Sequence, residues 1–270
     1  MRRADLPPPA LGAADLDALA AARRRLETPG LAIRLSNAVG SPLEKGLERL
    51  PERWRRRLDG VIHDALMRAI ATAAGTLGDT AAGRRAAPRL HKVLGSVSGG
   101  AGGAFGLPGL VVEIPLSTVL IMRAILDVAR AHGEDIHDPA TRLAALEVFA
   151  LGGPGSADDA AESGYYAVRA ALAGAIGEAA RHVAHHGLGE QGAPALVRLL
   201  AMIAARYKIQ LTQKAAGMLV PGIGAAAGAT INLLFMSHFQ SVSEGHFTIR
   251  RLERVYGTEA VRAAYRSLRG

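Results

Sequence analysis

The chain has 270 residues, 49% of them hydrophobic and only 4% aromatic, with no cysteine and a formal net charge of +8. That length can bury a large core as one domain or two closely packed ones, and the lack of cysteine excludes disulfides, thiolate metal sites and cysteine nucleophiles. The charge is uneven, at +7 over residues 1–92, −5 over 93–170 and +6 over 171–270. The basic N-terminal third suits an anionic partner such as lipid headgroups or an acidic protein, although arginine also serves simply to solvate helices. Without a recognisable nucleic-acid module or aromatics interleaved with the bases, nucleic acid is a poor fit.

Abundant Ala, Leu and Arg with few β-branched residues favour helix throughout, and no alternating strand pattern is visible. After the proline-rich lead Pro7–Gly12, Asp15 is expected to cap a helix running to about Glu27. Ser41, Pro42, Leu43 and Glu44 read as a capping box. From Pro51 a longer helix carries Trp54, Leu58, Val61, Ile62, Ala65, Leu66, Ala69 and Ile70 at three- and four-residue steps. The basic stretch Gly78–Pro88 reads as a linker. It divides the chain into a basic helical region, residues 1–87, and a helical domain, residues 88–270, that can pack as one unit.

Beyond the linker, Gly95, Gly99 and Gly103 give one smooth helical face. Leu107, Pro108 and Gly109 are expected to turn the chain into a helix from about Pro115 to His132. Asp138 and Pro139 start the next helix. Two more are predicted, one through ESGYYAVRAALAGAIGEAARHVAHHG, ending near Gly187 or Gly189, and one through PALVRLLAMIAARYK. The longest is expected over Ala225–Tyr256, with Thr258 capping a final turn after Gly257.

Two segments of this chain resemble each other. GSVSGGAGGAFGLPGLVVEIPLSTVLIMRAI, from Gly95, and AAGMLVPGIGAAAGATINLLFMSHFQ, from Ala215, are both Gly-rich and both contain a Pro-Gly step, Pro108–Gly109 and Pro221–Gly222. A long aliphatic run with one odd polar group follows each, Glu113 in the first and Asn232 in the second. The expected architecture is an all-α multi-helix bundle built around two Gly-rich, Pro-Gly-initiated helical hairpins. Residues 215–237 are uncharged and long enough to cross a bilayer, and residues 93–112 are uncharged up to Glu113. Glu113, the prolines and a mean hydropathy of only +0.16 favour a close-packed core over a span.

Several blocks carry a family resemblance: GGAGGAFGLPGLVVEIPLST, ARAHGEDIHDP, RLAALEVFALGG, ESGYYAVRAAL, VPGIGAAAGATIN and GHFTIRRLERVYG. Over roughly Leu90–Tyr265 the chain resembles the EcsC protein family. The resemblance implies a bacterial protein with a link to an ABC transporter and assigns no catalytic residue. The Pro-Gly segments also resemble, more loosely, a helical domain attached to some bacterial membrane-linked GTPases. The chain itself has no G-x-x-x-x-G-K-[ST] motif.

Polar residues inside apolar stretches are the candidate site: Glu113, Glu147, Glu162, Arg169, Asn232 and His238, with Gln240 beside them. Buried carboxylates need partners or they take up a proton, so these residues read as an inter-helical network. The functional alternative is a polar pocket in which Glu113 or Glu147 works with His238 as acid and base. For metal, His182, His185 and His186 with Glu178, the Glu134–His137 pair, and His238 with Glu244 and His246 were weighed. None has the full pattern, so no metal and no cofactor are expected. Ser163–Tyr166 lacks the G-x-S-x-G frame, and the Gly99–Gly106 run has no phosphate-binding lysine.

The expectation is therefore a non-enzymatic accessory or interaction protein at the cytoplasmic face of the membrane, peripheral to it or partly inserted. Its expected partner is the membrane surface or a membrane protein. The alternative is an enzyme, or a carrier of a small apolar ligand held between the two Gly-rich hairpins, using a buried Glu/His/Asn pocket.

Overall fold

The computed structural model describes residues 10–27, 31, 34–35, 37, 51–72, 106–152, 164–186, 193–218 and 225–268. Within them the chain is all-α, without a strand. The helices are α1 (Ala13–Glu27), α2 (Glu52–Thr72), α3 (Gly106–Ala131), α4 (Pro139–Glu147), α5 (Gly164–His186), α6 (Pro194–Met218), α7 (Ala225–Tyr256) and α8 (Thr258–Ser267). A 3-10 turn, Val148–Ala150, follows α4 directly.

Two helices form the centre. On α7, Ile231, Phe235, Met236, Phe239, Val242, Phe247, Ile249 and Leu252 are all buried, which covers more than one face. On α3, Ile114, Ile121, Met122, Ala124, Ile125, Leu126, Val128 and Ala129 are buried likewise. A helix apolar on all sides belongs inside a bundle, and the amphipathic helices pack around these two. The stripe predicted on α2 is the one that packs, with Trp54, Leu58, Ile62, Ala65, Leu66, Ala69 and Ile70 buried and Val61 half-buried. It lies mainly against α3 and secondly against α6.

Helix α1 lies on α7, where Gly245 lets the backbones close. A Cβ there would stand 2.8 Å from Leu26 Cγ and 3.0 Å from the Ala22 carbonyl. Polar contacts lock the crossing: Tyr256 donates to Asp15 at 2.6 Å, Arg251 donates to it at 3.3 Å, and Tyr265 of α8 donates to Glu27 at 3.2 Å. The basic N-terminal region thus docks directly on the long helix.

The bounds of α7 are those the sequence predicts, and Asp138 caps α4 as expected, accepting the Ala140 N–H at 3.0 Å with Pro139 behind it. Four local expectations are corrected. Pro108 and Gly109 lie in the first turn of α3 and not in a turn ahead of it. Proline is tolerated there because the first helical N–H groups have no partner in any case. Pro115, expected to open the helix, sits inside it. It offers no N–H to the Val111 carbonyl, while the Ser117 and Thr118 hydroxyls both donate to Ile114 at 3.2 and 2.7 Å. Asp15 falls within the first turn of α1, and Gly257, not Thr258, is the N-cap of α8. The Ser41–Glu44 box, the Gly78–Pro88 linker, Gly95, Gly99, Gly103, Glu162 and the Pro221–Gly222 step lie outside the described residues.

Candidate functional site

The first polar centre joins three helices near the Gly-rich ends. Glu113 of α3 accepts two hydrogen bonds from Lys214 Nζ of α6, at 2.9 and 2.8 Å. The lysine side chain is 0% and the glutamate 3% exposed. The ammonium also lies 4.8 Å from the centroid of the Phe235 ring on α7, a cation–π contact. On the same flank Thr118 donates to Ile114, so the 3.1 Å contact between Thr118 and Tyr207 has the tyrosine hydroxyl as donor. Tyr207 packs edge-on to Phe149 and Phe239, with ring centroids 4.9 and 5.8 Å away. Burial raises its pKa. Asn232 is buried on α7 one turn before Phe235.

A second centre lies between the end of α4, the start of α5 and the middle of α7. Glu147 Oε2 stands 3.8 Å from His246 Nε2, with side-chain exposures of 5% and 0%. His246 Nδ1 is 3.1 Å from the Tyr165 hydroxyl. Burial pushes Glu147 up to about 7, against the pull of Arg169 and Arg250 and with a further push from Glu253. Burial likewise drives His246 well below the usual imidazole value, helped by the same two arginines, and raises Tyr165. Around this core Arg169 grips Glu253 through two bonds of 2.7 and 3.0 Å. Arg250 reaches Glu134 at 3.0 Å, and Arg254 also binds Glu134. Burial opposes the charge on Glu134, but Arg250 and Arg254 outweigh it and hold the carboxyl below its ordinary range. Carboxylate, imidazole and hydroxyl follow the order of a nucleophilic triad. Here the hydroxyl is a buried phenol, and all three groups are shielded from solvent.

His238 belongs to neither centre. Its ring lies against Gly152, whose φ is +69, and a Cβ on that glycine would come within 2.9 Å of His238 Cε1 and 2.6 Å of Val242 Cγ2. Burial lowers His238 to about 4, helped by Arg34, and among the described residues its Nε2 has no hydrogen-bond partner. Gln210 donates to Leu151 next to that glycine, at 2.8 Å.

The residues singled out in the sequence are therefore dispersed. Glu113 meets Lys214, Arg169 meets Glu253, and Glu147 meets His246 where His238 was expected. The residues singled out for metal find other partners or each other. Glu244 binds His132 at 2.9 Å, while His182 and His186 stack on each other with centroids 4.6 Å apart. The sequence reading missed Lys214, Tyr165, Tyr207 and Glu253 as site residues. Lys214 could have been found: it continues the buried α6 stripe of Ile203, Tyr207 and Leu211 at helical spacing.

No curated protein and no solved structure matches the chain. A family match runs over residues 14–252, and so takes in α1 and α2 of the basic N-terminal region, which the resemblance from Leu90 onward had left out. With most of its length matched, from α1 to the last turns of α7, the chain belongs to the EcsC protein family.

Proposed function

We propose that the protein is a non-enzymatic accessory or interaction module that docks peripherally at the cytoplasmic face of the membrane. The observation that carries this reading is an apolar surface at the start of α3. Val112 is 78% and Leu116 53% exposed, one turn apart on the same face. Water-facing valine and leucine in register on one helix suit insertion among lipid headgroups. At this end of the bundle the Glu113–Lys214 pair and Phe235 tie α3, α6 and α7 together. No helix among the described residues is long and apolar enough to cross a membrane, so the proposed association is peripheral. The mutual pairing of Glu113 with Lys214 and of Arg169 with Glu253 supports a structural rather than catalytic use of these charges. A transporter as the membrane partner rests on the family alone.

Vesicle flotation tests the reading. The full chain is expected to rise with phosphatidylglycerol-rich vesicles, and Val112→Asp with Leu116→Asp is expected to lower the bound fraction about tenfold or more. A wild type that stays in the dense fraction, or a double variant that floats equally well, refutes it. In cells, release of the protein by high-salt and carbonate washes distinguishes this peripheral mode from insertion.

A further inference from the structure

Glu147 and His246 face each other without touching. Among the described residues, the carboxylate's polar partner within ion-pair range is His246 Nε2, at 3.8 Å. Among the described residues that nitrogen has no hydrogen-bond partner, while the other ring nitrogen is engaged by Tyr165. A contact about 1 Å too long for a hydrogen bond, between two buried groups that each need one, marks a bond ready to close. Its position gives it leverage. Glu147 is the last residue of α4, and the 3-10 turn that follows carries Phe149 into the aromatic cluster with Tyr207 and Phe239. His246 lies in the middle of α7, the helix that also holds α1.

We propose that Glu147 and His246 form a buried one-proton latch that fastens the end of α4 and its 3-10 turn to α7 when the proton is present and loosens them when it leaves. With the proton bound, Glu147 O–H donates to His246 Nε2, and Nδ1–H donates to the Tyr165 oxygen. The chain is neutral and every member has a partner. On release, one proton passes to solvent and the imidazole changes tautomer. Nε2–H now faces the carboxylate, and the Tyr165 hydroxyl turns to donate to Nδ1. This leaves a net negative charge in the core. The groups that face it are Arg169 and Tyr165 from α5 and Arg250, Glu253 and His246 from α7. Both arginines are already committed, Arg169 to Glu253 and Arg250 to Glu134, and Glu253 repels the new charge. A buried anion with its counter-charges engaged elsewhere draws in water or moves toward it, and either change strains the junction of α4 with the 3-10 turn.

Hydrogen exchange of the full chain between about pH 6 and pH 8, corrected for intrinsic rates, reads the latch in residues 139–152. Protection in wild type is expected to fall about tenfold by one pH unit above the midpoint, while Glu147→Gln keeps the protected state throughout. Tyr165→Phe is expected to fold and to move the midpoint, because it removes the hydroxyl that reads the imidazole tautomer. Nitrogen NMR of His246 in the unaltered protein gives a second readout that needs no variant. A tautomer change with the same midpoint supports the latch. Uniform wild-type protection across the range, the same pH response in Glu147→Gln, or a His246 that keeps one tautomer overturns it.

Discussion

The Glu113–Lys214 pair offers the sharpest test of the packing at the Gly-rich end. Replacing Lys214 with Met keeps most of the aliphatic stem and removes the ammonium. Glu113, only 3% exposed, would then lose both bonds, at 2.9 and 2.8 Å, and Phe235 would lose its cation. Stranding one partner of a buried pair costs about 3–5 kcal/mol, a large share of the roughly 5–15 kcal/mol that holds a domain folded. Replacing both partners removes the stranded charge. Glu113→Leu with Lys214→Met is therefore expected to regain nearly all of that loss, or to exceed wild type by about 1–4 kcal/mol. Urea unfolding followed by circular dichroism measures wild type, each single variant and the double at one pH. The reasoning fails if Lys214→Met costs under about 1 kcal/mol, the range of exposed pairs, or if the double loses the sum of the singles.

Other variants probe the second centre and the α1 crossing. Glu147 has its folded pKa raised from 4.5 to about 7, so stability tied to its bound proton is present at low pH and lost as pH rises through about 7. That shift is worth about 3 kcal/mol, so Glu147→Gln is expected to match wild type near pH 5 and exceed it by about that amount at pH 8. His238, lowered from 6.5 to about 4, has the opposite sign: its contribution is present above pH 6.5 and lost as pH falls toward 4. Thermal unfolding across pH checks both, and a constant gap between wild type and Glu147→Gln contradicts the buried placement of that carboxyl. Gly245→Ala is expected to destabilise by about 1–3 kcal/mol through its clash with Leu26 and the Ala22 carbonyl. Gly174→Ala, in open space on α5, is expected to stabilise by about 0.5–1 kcal/mol, and the two measured together separate crowding from helix propensity.

What could be read from the sequence was local. Apolar spacing gave α2 its buried face, Asp138 and Pro139 marked the start of α4, and Gly257 ended α7. Prolines are poor punctuation here, because Pro108 falls in the first turn of α3, where its missing N–H costs nothing, and the helix runs on through Pro115. The site was harder, since pairing is set by the crossing of distant helices. His238 and His246 are on one helix, but eight residues place them about 12 Å apart along its axis. Only the level at which α4 meets α7 decides which of them Glu147 faces. Lys214 stands just ahead of an uncharged run, and no local pattern joins it to its partner Glu113, 101 residues away in sequence.

The docking of α1 on α7 and α8 bears on how the chain reaches this state. Tyr256 meets Asp15 across 241 residues, and Tyr265 meets Glu27 across 238. At about 5–20 residues per second, roughly 12–50 s of synthesis separate the emergence of α1 from that of its dock. During that interval Leu19, Ala22 and Leu26 have no α7 to cover them, in a helix short enough to be marginal alone. Closure of α1 is therefore a late step of folding, and for that interval its apolar face is open to a chaperone.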